Sequence, residues 1–332
     1  MNETAPETTI LIRAFNEERW LPEVFAALNK QRYRDFEVLL VDSGSVDSTR
    51  DIAAANGARV HRLRSEDFTF GHSLNVGVTQ ARGSLIAILS AHAIPADEDW
   101  LEKLLVPLRR PGVAMVYGGQ RGHPISKFSE ILDFERIFPA SHHQVDVEQP
   151  FANNANSAVK RELWAQHPFD EGLPGLEDIE WAKYWLKHGL EVVYEPHACI
   201  IHVHTESWAQ VRRRYHREGM AARWVGLRYL RHIPGEIWRE VRWCAADVWL
   251  ATKQRRIFSV AGEILRFRYE KTRGTVGGIT DSRGLTNPAR RAEMFFRQEF
   301  PALVVRGPHR VRLEERTVPS LKPGEILVRV SH

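Results

Sequence analysis

The chain has 332 residues, 43% of them hydrophobic and 27% charged, and carries a net charge of +4, an ordinary globular composition with apolar material for more than one domain. It excludes a disulfide framework, since Cys199 and Cys244 are the only cysteines, and a bilayer span, since charge interrupts every long apolar run. Residues 1–9 lack the basic start and apolar core of a secretory leader, so reduced thiols and a cytoplasmic location are expected.

Residues 9–14 (TILIRA) predict a buried strand, followed by a helix with Leu21, Phe25 and Leu28 on one face. Residues 36–41 (FEVLLV) predict a second strand, ending in the turn-rich 42–45 (DSGS), then a helix over 48–56 stopped by Gly57. A third strand at 58–63, a helix at 74–81 and a fourth strand at 84–89 (SLIAIL) complete a strand–helix alternation. That alternation predicts a mostly parallel sheet flanked by helices. Ligands of such sheets sit beyond the carboxyl ends of the strands, which singles out Arg13, Asn16, Glu17, residues 42–45 and residues 90–92. Beyond them the pattern predicts a strand at 113–117, a helix at 128–138, an Asn-rich stretch at 151–158, a helix at 176–186, and two short strands, 191–194 and 199–203, around Pro196.

Residues 206–275 read as a basic helical subdomain, with 16 Lys/Arg against 7 Asp/Glu and five of the ten tryptophans. Two readings stand: a subdomain packing its tryptophans on the rest of the chain, or peripheral contact with a membrane surface. Nucleic acid is not expected, as no recognition motif is present. Residues 276–299 read as a Gly-rich linker and 300–332 as short strands around Pro and Gly turns.

Six segments in order, IRAFNEERWL (12–21), VDSGSVDST (41–49), FTFGHSLNVGV (68–78), LSAHAIP (89–95), NNANSAVKREL (153–163) and GLEDIEWAKYWLKHG (175–189), resemble the inverting family 2 glycosyltransferases, in their rhamnosyltransferase-like branch. The resemblance implies a GT-A fold, α/β and Rossmann-like, over residues 1–205. It also implies a nucleotide-sugar donor and a glycan or lipid-linked acceptor. Donor contacts would come from Arg13, Asn16, Glu17, Asp42, Ser90 and His92; alone, Asp42 and Ser45 read as turn and cap residues. Where the family carries an acidic metal-binding motif, this chain has Ser90-Ala91-His92. A divalent cation, Mn²⁺ or Mg²⁺, would then depend on His92 with His202 and His204, which share one face of a late strand. Imidazole suits Mn²⁺ better than the oxygen-seeking Mg²⁺.

Inverting transfer needs one base to take the acceptor proton, and the family places it at the second acid of a pair. Here that is Asp178, with Glu177 beside it at a helix start; alone, such acids are ordinary helix-start residues. Asn153, Asn154, Asn156 and Gln120 are candidates for acceptor hydroxyls. The non-acidic 90–92 segment leaves an alternative, a catalytically quiet nucleotide-sugar or glycan-binding module. Residues 300–332 (ALVVRGP…LEERTVP…PGEILVRV) resemble the start of a medium-chain zinc alcohol dehydrogenase, which implies a fusion continuing beyond residue 332.

Overall fold

The computed structural model describes residues 5–282 together with the strands Glu299–Val305 and Val311–Thr317. In chain order the elements are β1 (Thr8–Ala14), α1 (Leu21–Leu28), β2 (Phe36–Asp42), α2 (Thr49–Ala55), β3 (Arg59–Arg62), α3 (Phe70–Gln80), β4 (Leu85–Ser90) and β5 (Ala93–Pro95). They continue with α4 (Trp100–Leu108), β6 (Val113–Gly122), α5 (Phe128–Ile137), β7 (Asn156–Lys160), α6 (Arg161–Gln166), α7 (Glu177–Lys187) and β8 (Glu191–His202). Three long helices follow, α8 (Trp208–Trp224), α9 (Ile233–Lys253) and α10 (Ile257–Thr280), before β9 (Glu299–Val305) and β10 (Val311–Thr317).

Eight strands form one mixed sheet in the order β3-β2-β1-β4-β7-β6-β8-β5. The first half, β3 to β4, is parallel, and β1, β2 and β4 carry the continuous apolar runs typical of such strands. The strand β7 enters antiparallel to both β4 and β6, and β8 runs parallel to β6. Alternate side chains of β1 serve opposite faces: Ile10 and Ile12 pack with α1 and α4, whereas Leu11 packs with α3 and α7. Register sets Arg13 beside Ser90 and Ala14 beside Asp42, so the polar ends of β1, β2 and β4 meet at one edge.

Several elements differ from the sequence reading. The strand β5 and the helix α4 were not predicted; α4 buries Trp100, Leu101, Leu104 and Leu105 against the sheet despite Pro107 near its end. The two strands expected around Pro196 are one, β8, because a register irregularity after Gly118 of β6 absorbs the proline. Residues 276–280, read as linker, continue α10. Their glycines serve close helix packing: a Cβ on Gly278 would strike the His216 carbonyl of α8, and one on Gly219 of α8 would lie 2.6 Å from the Thr275 oxygen. The dehydrogenase-like segment falls mostly outside the described residues; of it only β9 and β10 are described, and they pair antiparallel.

The helices α5, α9 and α10 are joined through charge. Arg268 bonds Asp133, Glu240 and Asp247 at 2.6–3.0 Å, and Lys271 reaches Asp133 at 2.6 Å and Glu240 at 3.2 Å. Arg136 completes a charge-balanced cluster on Asp133 and Asp247. The Trp243 ring packs against this cluster, with Arg268 and Lys271 within 5.5 Å of its centroid. Trp238 and Trp249, however, are 63% and 64% exposed, so the tryptophans of this region do not all pack inward.

Candidate active site

Two clusters sit at the sheet's polar edge. The first surrounds Asp178. A sharp bend, with Leu176 in the left-handed region at φ 59°, delivers Glu177 and Asp178 to the start of α7. The Asp178 carboxylate accepts from the Asn154 N–H at 2.9 Å and from the Ile179 N–H at 2.8 Å. Burial first, then the adjacent Glu177, push its carboxyl up to about 7, against the two N–H groups and Arg13 that hold it down. Arg13 bonds the Phe70 carbonyl at 2.9 Å and reaches Glu177 at 3.5 Å.

Arg217 of α8 was not singled out from the sequence. Its guanidinium lies 4.7 Å from the Phe70 ring centroid, Arg13 lies 5.3 Å from the same ring, and Arg217 makes no ion pair among the described residues. Two cations thus flank Phe70 beside the paired acids.

The second cluster is three histidines. The pairing of β5 with β8 sets Ala93 opposite His202, which brings His92, His202 and His204 together with ligand atoms within 4.8 Å of one another. Each Nδ1 is held by an oxygen: His92 by Glu17 at 2.8 Å, His202 by Gln120 at 2.9 Å and His204 by Glu130 at 2.7 Å. The buried Nε2 of His202 has no partner. Burial, then the neighbouring His204 and His92, hold the His202 imidazole well below its ordinary value, so it is neutral. Burial would raise Glu130, yet Arg214 and then His204 hold it down to about 2, as a carboxylate. Imidazoles, each oriented through Nδ1 by an outer oxygen, are the donor set and second shell that a divalent transition ion uses. The nearby group of Glu130, His204 and Glu206 differs, because Arg214 already pairs with both carboxylates.

The remaining predicted residues divide. Asn16 accepts from Val46 N–H at 2.9 Å and donates its own N–H to Ser45, tying the loop after β1 to the loop after β2. Asp42 is buried, with both oxygens on the Ser45 N–H at 3.2 Å, so its carboxylate shapes that loop. Ser90 donates its N–H to Ala155 at 3.1 Å beside the histidines. Asn153 accepts from Gln120, while Asn154 lies against Asp178 with its side-chain Nδ2 buried and unpartnered. Two acceptor assignments are corrected. Asn156 is fully buried and spends its amide on Trp100, Gly119 and Ala198. Gln120 is buried between Asn153 and His202, so it orients a histidine and does not face an acceptor.

Residues 9–165 match the Glycosyl transferase family 2 profile. The chain is 24% identical over 223 residues to the O-antigen chain rhamnosyltransferase RfbN of Salmonella typhimurium, covering 64% of this chain and 71% of that one. It is 31% identical over 196 residues to the glycosyltransferase AglE of Haloferax volcanii, covering 55% and 62%. Its fold is similar to that of the mannosyltransferase PcManGT from Pyrobaculum calidifontis, solved with GDP-Man and Mn²⁺, at a TM-score of 0.58 and 18% identity over 85% of this chain and 87% of the other.

Proposed function

We propose that this chain, a glycosyltransferase whose residues 9–165 form a family 2 domain, moves a sugar from a nucleoside diphosphate to an acceptor hydroxyl with inversion. The observation that carries the reading is Asp178, a buried carboxylate pinned by two N–H groups and pushed up to about 7. A base poised near neutrality is suited to taking a hydroxyl proton. The acceptor oxygen bonds to the anomeric carbon as the bond from that carbon to the diphosphate oxygen breaks. The departing electron pair stays on the nucleoside diphosphate, and the acceptor proton goes to Asp178.

Arg13 and Arg217 are placed to meet the diphosphate, as paired guanidiniums bind phosphate oxygens. Glu17, Ser90 and the loops shaped by Asn16 and Asp42 form the rest of the donor side, and Asn153 with the unpartnered Nδ2 of Asn154 the acceptor side. His92, His202 and His204 would hold a divalent cation, which when bound supplies positive charge to the leaving diphosphate. The relatives named for O-antigen chain rhamnosyl transfer make a rhamnosyl donor with a glycan or lipid-linked acceptor the first pair to assay. The quiet binding module is not favoured, since the relatives are named as transferases.

Calorimetry with UDP, GDP and dTDP, with Mn²⁺, with Mg²⁺ and with chelator, tests the site. One nucleotide is expected to bind more tightly with Mn²⁺ than with Mg²⁺, because three imidazoles favour the softer ion. His202→Ala is expected to weaken the metal-dependent part at least about tenfold. Nucleotide binding indifferent to metal and to His202→Ala would remove the cation from the account, and no binding of any nucleotide would remove the donor site.

A further inference from the structure

The hairpin of α9 and α10 buries ions as well as apolar residues. Glu240, Asp247, Arg268 and Lys271 are buried in the cluster described above, alongside Ala251, Val260, Ile264 and Phe267. Its outward face nevertheless carries large apolar residues. On α9, Ile237, Trp238, Val241 and Trp249 are exposed at helical spacing, with exposed Ala245 between them. On α10, Phe258, Leu265 and Tyr269 do the same, and Phe258 is fully exposed beside the short 254–256 turn. A water-facing helix pair normally keeps its outward face polar, and contiguous exposed apolar faces mark interaction surfaces.

The charge on this face has one sign. Arg242, Lys253, Arg255, Arg256, Arg266 and Arg273 are exposed, whereas no exposed Asp or Glu occurs between residues 229 and 282. The acidic residues of the hairpin are used internally: Glu236 pairs with Arg228 and Arg239, and Glu263 accepts from the Phe128 N–H. The partner must therefore be both apolar and anionic. A second copy of this face would set cation against cation, which opposes a symmetric dimer. Nucleic acid would use the cations and stack on the aromatic rings, but gives no place to Ile237, Val241 and Leu265. An anionic bilayer satisfies all of them: rings and aliphatic side chains enter the headgroup boundary while Arg and Lys remain at the phosphate level. No described helix is long and apolar enough to cross a membrane, so this contact lies in the plane of the surface.

We propose that the outward face of the α9–α10 hairpin docks the enzyme on an anionic lipid surface. The inference stands on the hairpin alone and is independent of the assignment of base and metal. The full chain is sedimented with phosphatidylcholine vesicles, with and without phosphatidylglycerol, at low and high salt, while Trp fluorescence is followed. Expected are binding to the anionic vesicles, a blue shift on binding, and weakening by salt, as surface electrostatics require. The triple variant Trp238→Ala/Trp249→Ala/Phe258→Ala is expected to reduce partitioning at least about tenfold while retaining its helix content and nucleotide binding. A second variant, Arg242→Gln/Arg255→Gln/Arg256→Gln, keeps the apolar face and is expected to lose the preference for anionic over neutral vesicles. No sedimentation with anionic vesicles at low salt would overturn the proposal. So would unchanged binding by both variants, or a lipid-free dimer that the triple variant abolishes.

Discussion

Asp178→Asn is expected to lower the transfer rate by about 10²–10⁴-fold, the range a general base contributes, while the nucleotide still binds. The substitution keeps the size of the side chain but removes the proton acceptor. It also replaces one accepting oxygen by NH₂, which can no longer receive both the Asn154 and Ile179 N–H groups, so a small shift of the 153–155 loop is expected. Nucleotide affinity measured beside the rate separates that shift from the loss of the base. The pH profile gives a second readout. The base works ionised, and burial with the Glu177 charge pushes Asp178 up to about 7. The wild-type rate should therefore plateau above that pH and fall about tenfold per unit below it. A group at an ordinary carboxylate pKa would instead keep the rate flat down to about pH 5. Near-normal turnover by Asp178→Asn, or a flat profile through neutrality, would remove Asp178 from its role.

Arg268→Met is expected to cost about 3–5 kcal/mol of stability, the range for breaking a buried ion pair. Methionine fills much of the space, but it leaves Asp133, Glu240 and Asp247 with Lys271, Arg136 and the 3.4 Å contact of Arg239 to offset them. Urea unfolding measures the change; a loss within about 0.5 kcal/mol, the scale of an ordinary surface substitution, would mean the cluster does not join the three helices. Acid should weaken the same joint. Burial alone would raise Asp133, but Lys271 and then Arg268 hold it below its usual range. Its contribution is thus complete above the unfolded carboxylate range and is lost as pH falls through the folded value.

The first half of the fold was legible because parallel strands buried on both faces read as unbroken apolar runs, and 9–14, 36–41 and 84–89 coincide closely with β1, β2 and β4. What failed was whatever depends on neighbours distant in sequence. The three-residue β5 has no periodicity of its own and exists by pairing with β8. The Gly residues near the end of α10 read as a linker because composition alone does not show that α8 lies against them. In the site, the spacing of His202 and His204 marked a shared face. Their orienting partners did not announce themselves: Glu17, Gln120 and Glu130 stand 74–82 residues from the histidines they hold. Asn156 misled for the same reason, since Gly119 and Ala198 reach its amide only once β6 and β8 are assembled. Arg217 was hidden in a run of basic residues until Phe70 and Glu177 gave it a position.

The central claim is a single displacement with Asp178 taking the acceptor proton. The configuration of the anomeric carbon in the first product formed tests it most directly. With the donor whose nucleotide binds in the calorimetric screen, proton NMR of early product should show the anomer opposite to that of the donor. Product with the donor's configuration would require two displacements or front-face transfer, and would contradict the account.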